Sequence, residues 1–452
     1  MLAAPQQLSS SRCHCLSGDF TPPGDKSISH RSVMFGGIAD GTTTVRGLLE
    51  GEDVLHTVAA LRAMGALIYK DENGVWHITG VGTAGLQAPT EILDMGNSGT
   101  SARLLIGLVS GCAINAHFSG DASLCQRPMG RVIEPLLRMG ATFSSFPSTS
   151  AGFDNAGGKL PLSVTGTAHP VGITYELPVA SAQVKSAILL AGLGVDGVTT
   201  VIERTPTRNH SENMLRGFGA NVSVTKREDG ADIISITGRP HLVAQDIVVP
   251  ADPSSAAFPL VAALLCPGSH VTLRNVGLNP RRAGLIETLI EMGADIVFEN
   301  HRTEGGEPVA DLIAKGGELS GIDVPPQRAA SMIDEYPVLS VAAACAKGTT
   351  RMRGLGELRV KESDRLALMA QGLAQCGVQV DVEGDDLIVH GTGVPPQGGV
   401  TVTTAMDHRI AMSFLVLGTR TAKPTCIDDG SFIATSFPGF VTMMNGLGAK
   451  IE

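Results

Sequence analysis

Leu61-Arg62-Ala63-Met64-Gly65-Ala66 ends an amphipathic segment on a glycine, and alternating residues follow it at once. The same arrangement returns as Leu137-Arg138-Met139-Gly140-Ala141, Leu215-Arg216-Gly217-Phe218-Gly219-Ala220, Ile290-Glu291-Met292-Gly293-Ala294, Ala374-Gln375-Cys376-Gly377-Val378 and Asn445-Gly446-Leu447-Gly448-Ala449. Their final glycines recur at intervals of roughly 71–84 residues, which marks an internal repeat. Glycine suits a left-handed helix C-cap because it has no Cβ to clash. After three of the caps a hairpin is plain; the first runs from Ala66 to Tyr69, turns at Asp71-Glu72-Asn73-Gly74 and returns from Val75 to Ile78.

Each repeat also holds a second helix of another kind, at residues 32–39, 102–110, 184–193, 256–265, 338–346 and 410–418. These segments are apolar on nearly every face and belong inside a domain. One repeat therefore reads strand, buried helix, strand, amphipathic helix, hairpin. Six repeats in two domains give an α/β fold with three sheets facing outward around three buried helices in each. Val248-Val249-Pro250-Ala251-Asp252-Pro253 is the best internal boundary. The first repeat needs an opening strand, expected before Pro22-Pro23. The expected domains are residues 1–22 with 249–452 and residues 23–248, hinged near 22–24 and 248–252.

Composition narrows the function. With 452 residues, 43% hydrophobic and 4% aromatic, the chain is globular and long enough for two cores. A formal charge of −10 argues against nucleic acid or an anionic membrane as partner. No run of about 18 apolar residues, the length needed to span a bilayer, appears in the sequence. Residues 1–18 lack the apolar core of a secretory signal, so a cytoplasmic protein is expected. The eight cysteines show no paired framework, and reduced thiols are expected. Cys13-His14-Cys15 lacks further ligands, so no metal is expected. Nucleotide-binding glycine loops, the zinc-protease helix and the serine-hydrolase elbow are all missing from the sequence.

The chemistry gathers at the heads of the buried helices. Pro23-Gly24-Asp25-Lys26-Ser27-Ile28-Ser29-His30-Arg31 places cations and hydroxyls at a helix N-terminus, where free N–H groups and the macrodipole favour an anion. The other heads read Asn97-Ser98-Gly99-Thr100, Ser181-Ala182-Gln183, Asp252-Pro253-Ser254-Ser255, Asp334-Glu335-Tyr336 and Asp407-His408-Arg409. Capping explains Asn, Ser and Asp there, but not Lys26, Gln183 or Arg409. The strand-to-helix connections add Gln126-Arg127-Pro128, Thr207-Arg208-Asn209-His210 and Arg359-Val360-Lys361-Glu362-Ser363-Asp364-Arg365. Pseudo-symmetry would bring Lys26, Arg31, Arg103, Arg127, Arg208, Lys361, Arg365 and Arg409 to one cleft, more cations than one phosphate requires. Asp334, Glu335 and Glu362 stand among them as an acid or base would.

Together these motifs resemble the 5-enolpyruvylshikimate-3-phosphate synthase family over about residues 16–452, in the bacterial class with Ala-Ser-Ala-Gln-Val-Lys-Ser at 180–186 and Ser-Met-Ile-Asp-Glu-Tyr-Pro at 331–337. The resemblance implies a two-domain inside-out α/β barrel of six βαβαββ repeats, three per domain, that closes over substrate. It implies transfer of the enolpyruvyl group of phosphoenolpyruvate to the 5-hydroxyl of shikimate 3-phosphate, without cofactor or metal, by a protein expected to be a monomer. Ser181, the Ala182 backbone, Gln183 and Arg208 would bind the phosphate of shikimate 3-phosphate. Lys26, Ser27, Arg31, Asp334 and Lys361 would hold its ring hydroxyls. Arg127, Arg365 and Arg409 would clamp phosphoenolpyruvate, with Lys26, Gln183, Gly99 and Glu362 nearby. Glu362 is the implied proton donor to C3, with Lys26 a competing candidate, and Asp334 would accept the hydroxyl proton.

Several positions depart from familiar members. Ala182 replaces a hydroxyl residue, Thr435 stands where many relatives place lysine, and Asn209 takes a place often held by Asp. Gly99 is where glyphosate-tolerant relatives can carry Ala, which makes glyphosate a candidate inhibitor here. A near rival is the UDP-N-acetylglucosamine enolpyruvyl transferase, whose reactive cysteine falls at Ala122, with Cys125 out of register. A non-enzymatic anion-binding repeat protein is the other alternative, but it would lose the paired carboxylates.

Overall fold

The six repeat-ending glycines all take positive φ, between 85° at Gly377 and 109° at Gly448. A computed structural model of the chain describes residues 5–146 and 158–452. Within them lie six four-stranded sheets that share one plan. In the second repeat, Leu93–Asp94 pairs parallel with Asn115–Ser119, which pairs antiparallel with Leu162–Thr165, and that strand pairs with Thr142–Ser145 at the edge. A buried helix makes the parallel crossover, an amphipathic helix follows the second strand, and the hairpin closes the sheet.

The chain divides into two compact units. The terminal unit comprises Met1–Asp25, Pro250–Thr303 and Glu307–Glu452; the insert unit comprises Lys26–Val249 with Glu304–Gly306. Each has its own continuous apolar core.

In the insert unit the buried helices are Lys26–Gly37, Gly99–Ser110 and Ala182–Gly192. Small residues let two of them approach closely: a Cβ on Gly107 would lie 2.4 Å from the Ala187 carbonyl oxygen, and one on Gly111 would lie 2.5 Å from that of Ala191. In the terminal unit the buried helices are Pro253–Leu265, Tyr336–Cys345 and His408–Gly418. Side-chain caps from Ser98, Ser181, Asp252 and Asp407 begin the helices that follow them.

One expectation needs correction. The strand before Pro22-Pro23, Ser17–Phe20, does not open the first repeat; it pairs parallel with His270–Gly277 in the fourth. The first repeat is opened instead by Asp246–Val248, parallel to Thr42–Arg46. Packing supplies the reason. Cys13 and Leu16 are buried in the core of the terminal unit and hold the strand that follows them there. The earlier strand Leu8–Ser11 completes the sixth sheet, between Thr425–Ile427 and Lys450–Ile451. The terminal unit thus assembles its sheets from both ends of the sequence, its N-terminal strands joining the fourth and sixth repeats across the inserted segment of chain.

Candidate active site

In the insert unit, Arg31 joins the heads of three helices. Its Nε donates to Ser211 Oγ (2.7 Å), one terminal nitrogen to the Ser27 carbonyl (3.0 Å) and the other to Ser186 Oγ (2.9 Å). The Ser186 and Ser211 hydroxyls are themselves 2.7 Å apart. Lys26, at the head of its helix, pairs with Asp53 on the amphipathic helix Glu52–Ala63. In sequence Asp53 reads only as an acidic residue in a first turn. His30 lies one turn on from Lys26, fully buried, with Nδ1 2.7 Å from Thr57 Oγ1. Burial, reinforced by the charges of Lys26 and Arg31, holds its pKa well below the usual histidine value, so His30 is a neutral hydrogen-bonding group.

A second group surrounds Gly99. Arg127 donates to the Asn97 carbonyl (3.2 Å) and to its Oδ1 (2.5 Å), and Asn97 Nδ2 donates to Asp121 (2.6 Å). Arg103 donates to Gln183 Oε1 (2.8 Å), while Gln183 Nε2 donates to Thr100 Oγ1 (3.0 Å). Ser181 accepts from the Val184 N–H as the cap of the same helix. Arg208 follows Thr207, whose N–H and hydroxyl both donate to the buried Glu203 (3.0 and 2.7 Å). The structure therefore gathers Gly99, Arg103, Arg127 and Gln183 around one helix head, and supports the Arg208 loop through Glu203.

In the terminal unit the charge-dense segment folds around Arg365. This side chain is 1% exposed and meets three carboxylates. Nε donates to Asp407 Oδ2 (2.7 Å), one terminal nitrogen to Asp334 Oδ1 (3.1 Å), and the other lies 2.5 Å from Glu362 Oε2. Desolvation opposes its charge, but Asp407, Glu362 and Asp334 outweigh it and raise its pKa. Asp407 shows the converse: burial disfavours its charge, yet Arg365 holds its pKa below the usual carboxylate value. Lys361 Nζ is 3.8 Å from Asp334, and Arg409 donates to the Asp334 carbonyl (2.9 Å). Asp334, Lys361, Glu362, Arg365 and Arg409 thus form one charged cluster at the heads of Tyr336–Cys345 and His408–Gly418. Sequence reading treated Asp407 as a cap; it caps Arg409 N–H (2.9 Å) and also anchors Arg365. Thr435 spends its hydroxyl on the Phe432 carbonyl (2.7 Å).

Cations that hold carboxylates of their own, at helix heads in each unit, suit anionic substrates and proton transfer. The family model for EPSP synthase (3-phosphoshikimate 1-carboxyvinyltransferase) matches residues 12–444. The chain belongs to the EPSP synthase family. A curated relative from Paramagnetospirillum magneticum, named 3-phosphoshikimate 1-carboxyvinyltransferase, is 61% identical and aligns over 98% of each chain. One of the same name from Rhodospirillum rubrum is 58% identical over 99% of this chain and 98% of its own. The solved EPSP synthase of Acinetobacter baumannii superposes with a TM-score of 0.86 at 47% identity, covering 99% of both chains. As a member of the EPSP synthase family, the chain has the two-domain α/β architecture of six βαβαββ repeats that its sheets display. Among the described residues, no helix is long and apolar enough to cross a membrane.

Proposed function

We infer that the chain carries out the reaction for which its family is named, transfer of the enolpyruvyl group of phosphoenolpyruvate to the 5-hydroxyl of shikimate 3-phosphate with release of phosphate. The carrying observation is 61% identity to a 3-phosphoshikimate 1-carboxyvinyltransferase over nearly the whole of both chains. Protonation at C3 of phosphoenolpyruvate builds positive charge at C2, and the 5-hydroxyl oxygen bonds there as its proton leaves. The tetrahedral adduct then loses phosphate from C2 and one hydrogen of the C3 methyl group as a proton, restoring the double bond. Glu362 is assigned as donor to C3, with Lys26 the second candidate, and Asp334 as acceptor of the hydroxyl proton. Ser181, the Ala182 backbone, Gln183 and Arg208 are assigned to the shikimate phosphate, and Lys26, Ser27, Arg31, Asp334 and Lys361 to its ring hydroxyls. Phosphoenolpyruvate is assigned to Arg127, Arg365 and Arg409, with Lys26, Gly99, Gln183 and Glu362 beside it. What supports these roles is chemistry: fixed cations offset the repulsion of two anions, and positioned carboxyls move the protons. We place the enzyme in the cytoplasm, as a monomer.

The test is phosphate release from phosphoenolpyruvate with shikimate 3-phosphate or with UDP-N-acetylglucosamine as acceptor. Release with shikimate 3-phosphate alone is expected. Release only with the sugar nucleotide, or with neither, overturns the reading.

Glyphosate, an anion, is proposed to compete beside Gly99. A Cβ there would lie 2.7 Å from an Arg103 terminal nitrogen and 3.3 Å from one of Arg127. Both side chains would have to shift, and Arg103 would loosen from Gln183. Gly99→Ala is therefore expected to raise the glyphosate inhibition constant by at least about tenfold, equivalent to ~1.4 kcal/mol. An inhibition titration that finds it unchanged rejects the placement.

A further inference from the structure

Arg282 is a buried cation to which the reaction assigns no role. It lies between His270–Gly277 and Gly284–Glu291, the same kind of strand-to-helix connection that carries Arg127, Arg208 and the 359–365 segment in other repeats. Its guanidinium is turned to protein groups, with side-chain exposure of 3%. One terminal nitrogen is 3.4 Å from Asp25 Oδ2; the other is 3.1 Å from Asp252 Oδ1, 3.9 Å from Glu335 Oε1, and donates to Ser254 Oγ (2.6 Å). The Ser254 hydroxyl donates to Glu335 Oε1, and that oxygen lies 3.6 Å from a terminal nitrogen of Arg409. Backbone bonds pair the same two strands of chain: Asp25 N–H donates to Pro250 O (2.7 Å) and Asp252 N–H to Pro23 O (2.8 Å).

The contacts run from the two points where the chain leaves and re-enters the terminal unit, through Arg282, Ser254 and Glu335, to Arg409. We propose that Arg282 is a positioning residue which, by holding Glu335, keeps Arg409 able to bind phosphoenolpyruvate. This rests on the assignment of Arg409 to that substrate. Without Arg282, Glu335 is a buried carboxylate short of a partner, and Arg409 is already within 4 Å of it. Glu335 then closes on Arg409 as a full ion pair, and the substrate must compete with it.

Steady-state kinetics of the full chain carrying Arg282→Met, Arg282→Lys, and each combined with Glu335→Gln tests this. For Arg282→Met the KM for phosphoenolpyruvate is expected to rise about tenfold or more, with the KM for shikimate 3-phosphate within about twofold. Adding Glu335→Gln should return the former to within roughly threefold of wild type, because the competing carboxylate is gone. Arg282→Lys keeps the charge and loses the fork, so a smaller rise is expected, again relieved by Glu335→Gln. Should Arg282→Met fail to fold, the lysine pair of variants decides the matter. Equal shifts in both KM values, or no relief from Glu335→Gln, would overturn the proposal. Arg409→Met is measured in parallel; an unchanged KM for phosphoenolpyruvate there would reject the assignment of Arg409, separately from any role of Arg282.

Discussion

Glu362→Gln is expected to lower kcat by about 10²–10⁴-fold, the usual worth of a positioned proton donor, while both KM values stay within roughly threefold. Gln keeps the shape of the side chain and can still accept a hydrogen bond from Arg365, but it has no carboxyl proton to give to carbon. The fold should tolerate the change. Arg365 retains Asp407 (2.7 Å) and Asp334 (3.1 Å), so the buried guanidinium still has two counter-ions. A second readout separates the two candidate donors. If Glu362 protonates C3, Glu362→Gln also suppresses exchange of the C3 hydrogens of phosphoenolpyruvate with solvent deuterium during turnover. If Lys26 does, exchange survives in Glu362→Gln and disappears in Lys26→Met. Retention of activity within about tenfold of wild type in Glu362→Gln would remove the residue from the proton-transfer step.

The repeat was legible because its signals are local. A glycine that must take positive φ, as Gly65 does at 105°, marks a helix end without reference to anything distant. A helix apolar on nearly every face behind its polar head, such as Pro253–Leu265, announces its own burial. The candidate site was legible for a related reason: polar residues at the heads of such helices conflict with their surroundings, and Lys26, Gln183 and Arg409 exceed what capping requires. Pairing was another matter. Nothing in Ser17–Phe20 or Asp246–Val248 says which of two distant sheets each will open, since strands of four and three residues carry too little pattern to fix a partner. The choice rests on Leu16 and Cys13, whose burial depends on the assembled core.

Arg282 shows the limit from the other side. Its loop is the fourth repeat's counterpart of the loops bearing Arg127 and Arg208, so repeat position alone could have singled it out. What sequence could not supply is that Asp25, Asp252 and Glu335 converge on it, because those carboxylates come from three separate stretches. Arg365 was expected as one of the cations facing the cleft, and the structure adds that it is also the counter-ion of Glu362, Asp334 and Asp407. Any role of Arg365 toward phosphoenolpyruvate is therefore tied to the arrangement of those three carboxylates.

Lys185→Met is expected to cost about 3–5 kcal/mol of stability, the usual penalty for removing one partner from a buried ion pair. Lys185 sits in the middle of the apolar helix Ala182–Gly192 with no side-chain exposure, and its Nζ lies 3.0 Å from Glu203 and 2.7 Å from Glu212. Both carboxylates are nearly fully buried, so without the ammonium two negative charges face each other away from water. Their relief should be unequal. Glu203 also accepts both the N–H and the hydroxyl of Thr207, whereas buried Glu212 Oε2 has no hydrogen-bond partner among the described residues. Glu212→Gln added to Lys185→Met removes a charge at little structural loss and should recover more than half of the penalty. Glu203→Gln weakens the support of the Thr207-Arg208 loop, so it should recover less and also raise the KM for shikimate 3-phosphate, since Arg208 is assigned to its phosphate. Urea unfolding followed by circular dichroism measures the first effect and steady-state kinetics the second. A loss under about 1 kcal/mol for Lys185→Met, the scale of an exposed pair, would mean that the ammonium is not the principal compensation for these two carboxylates.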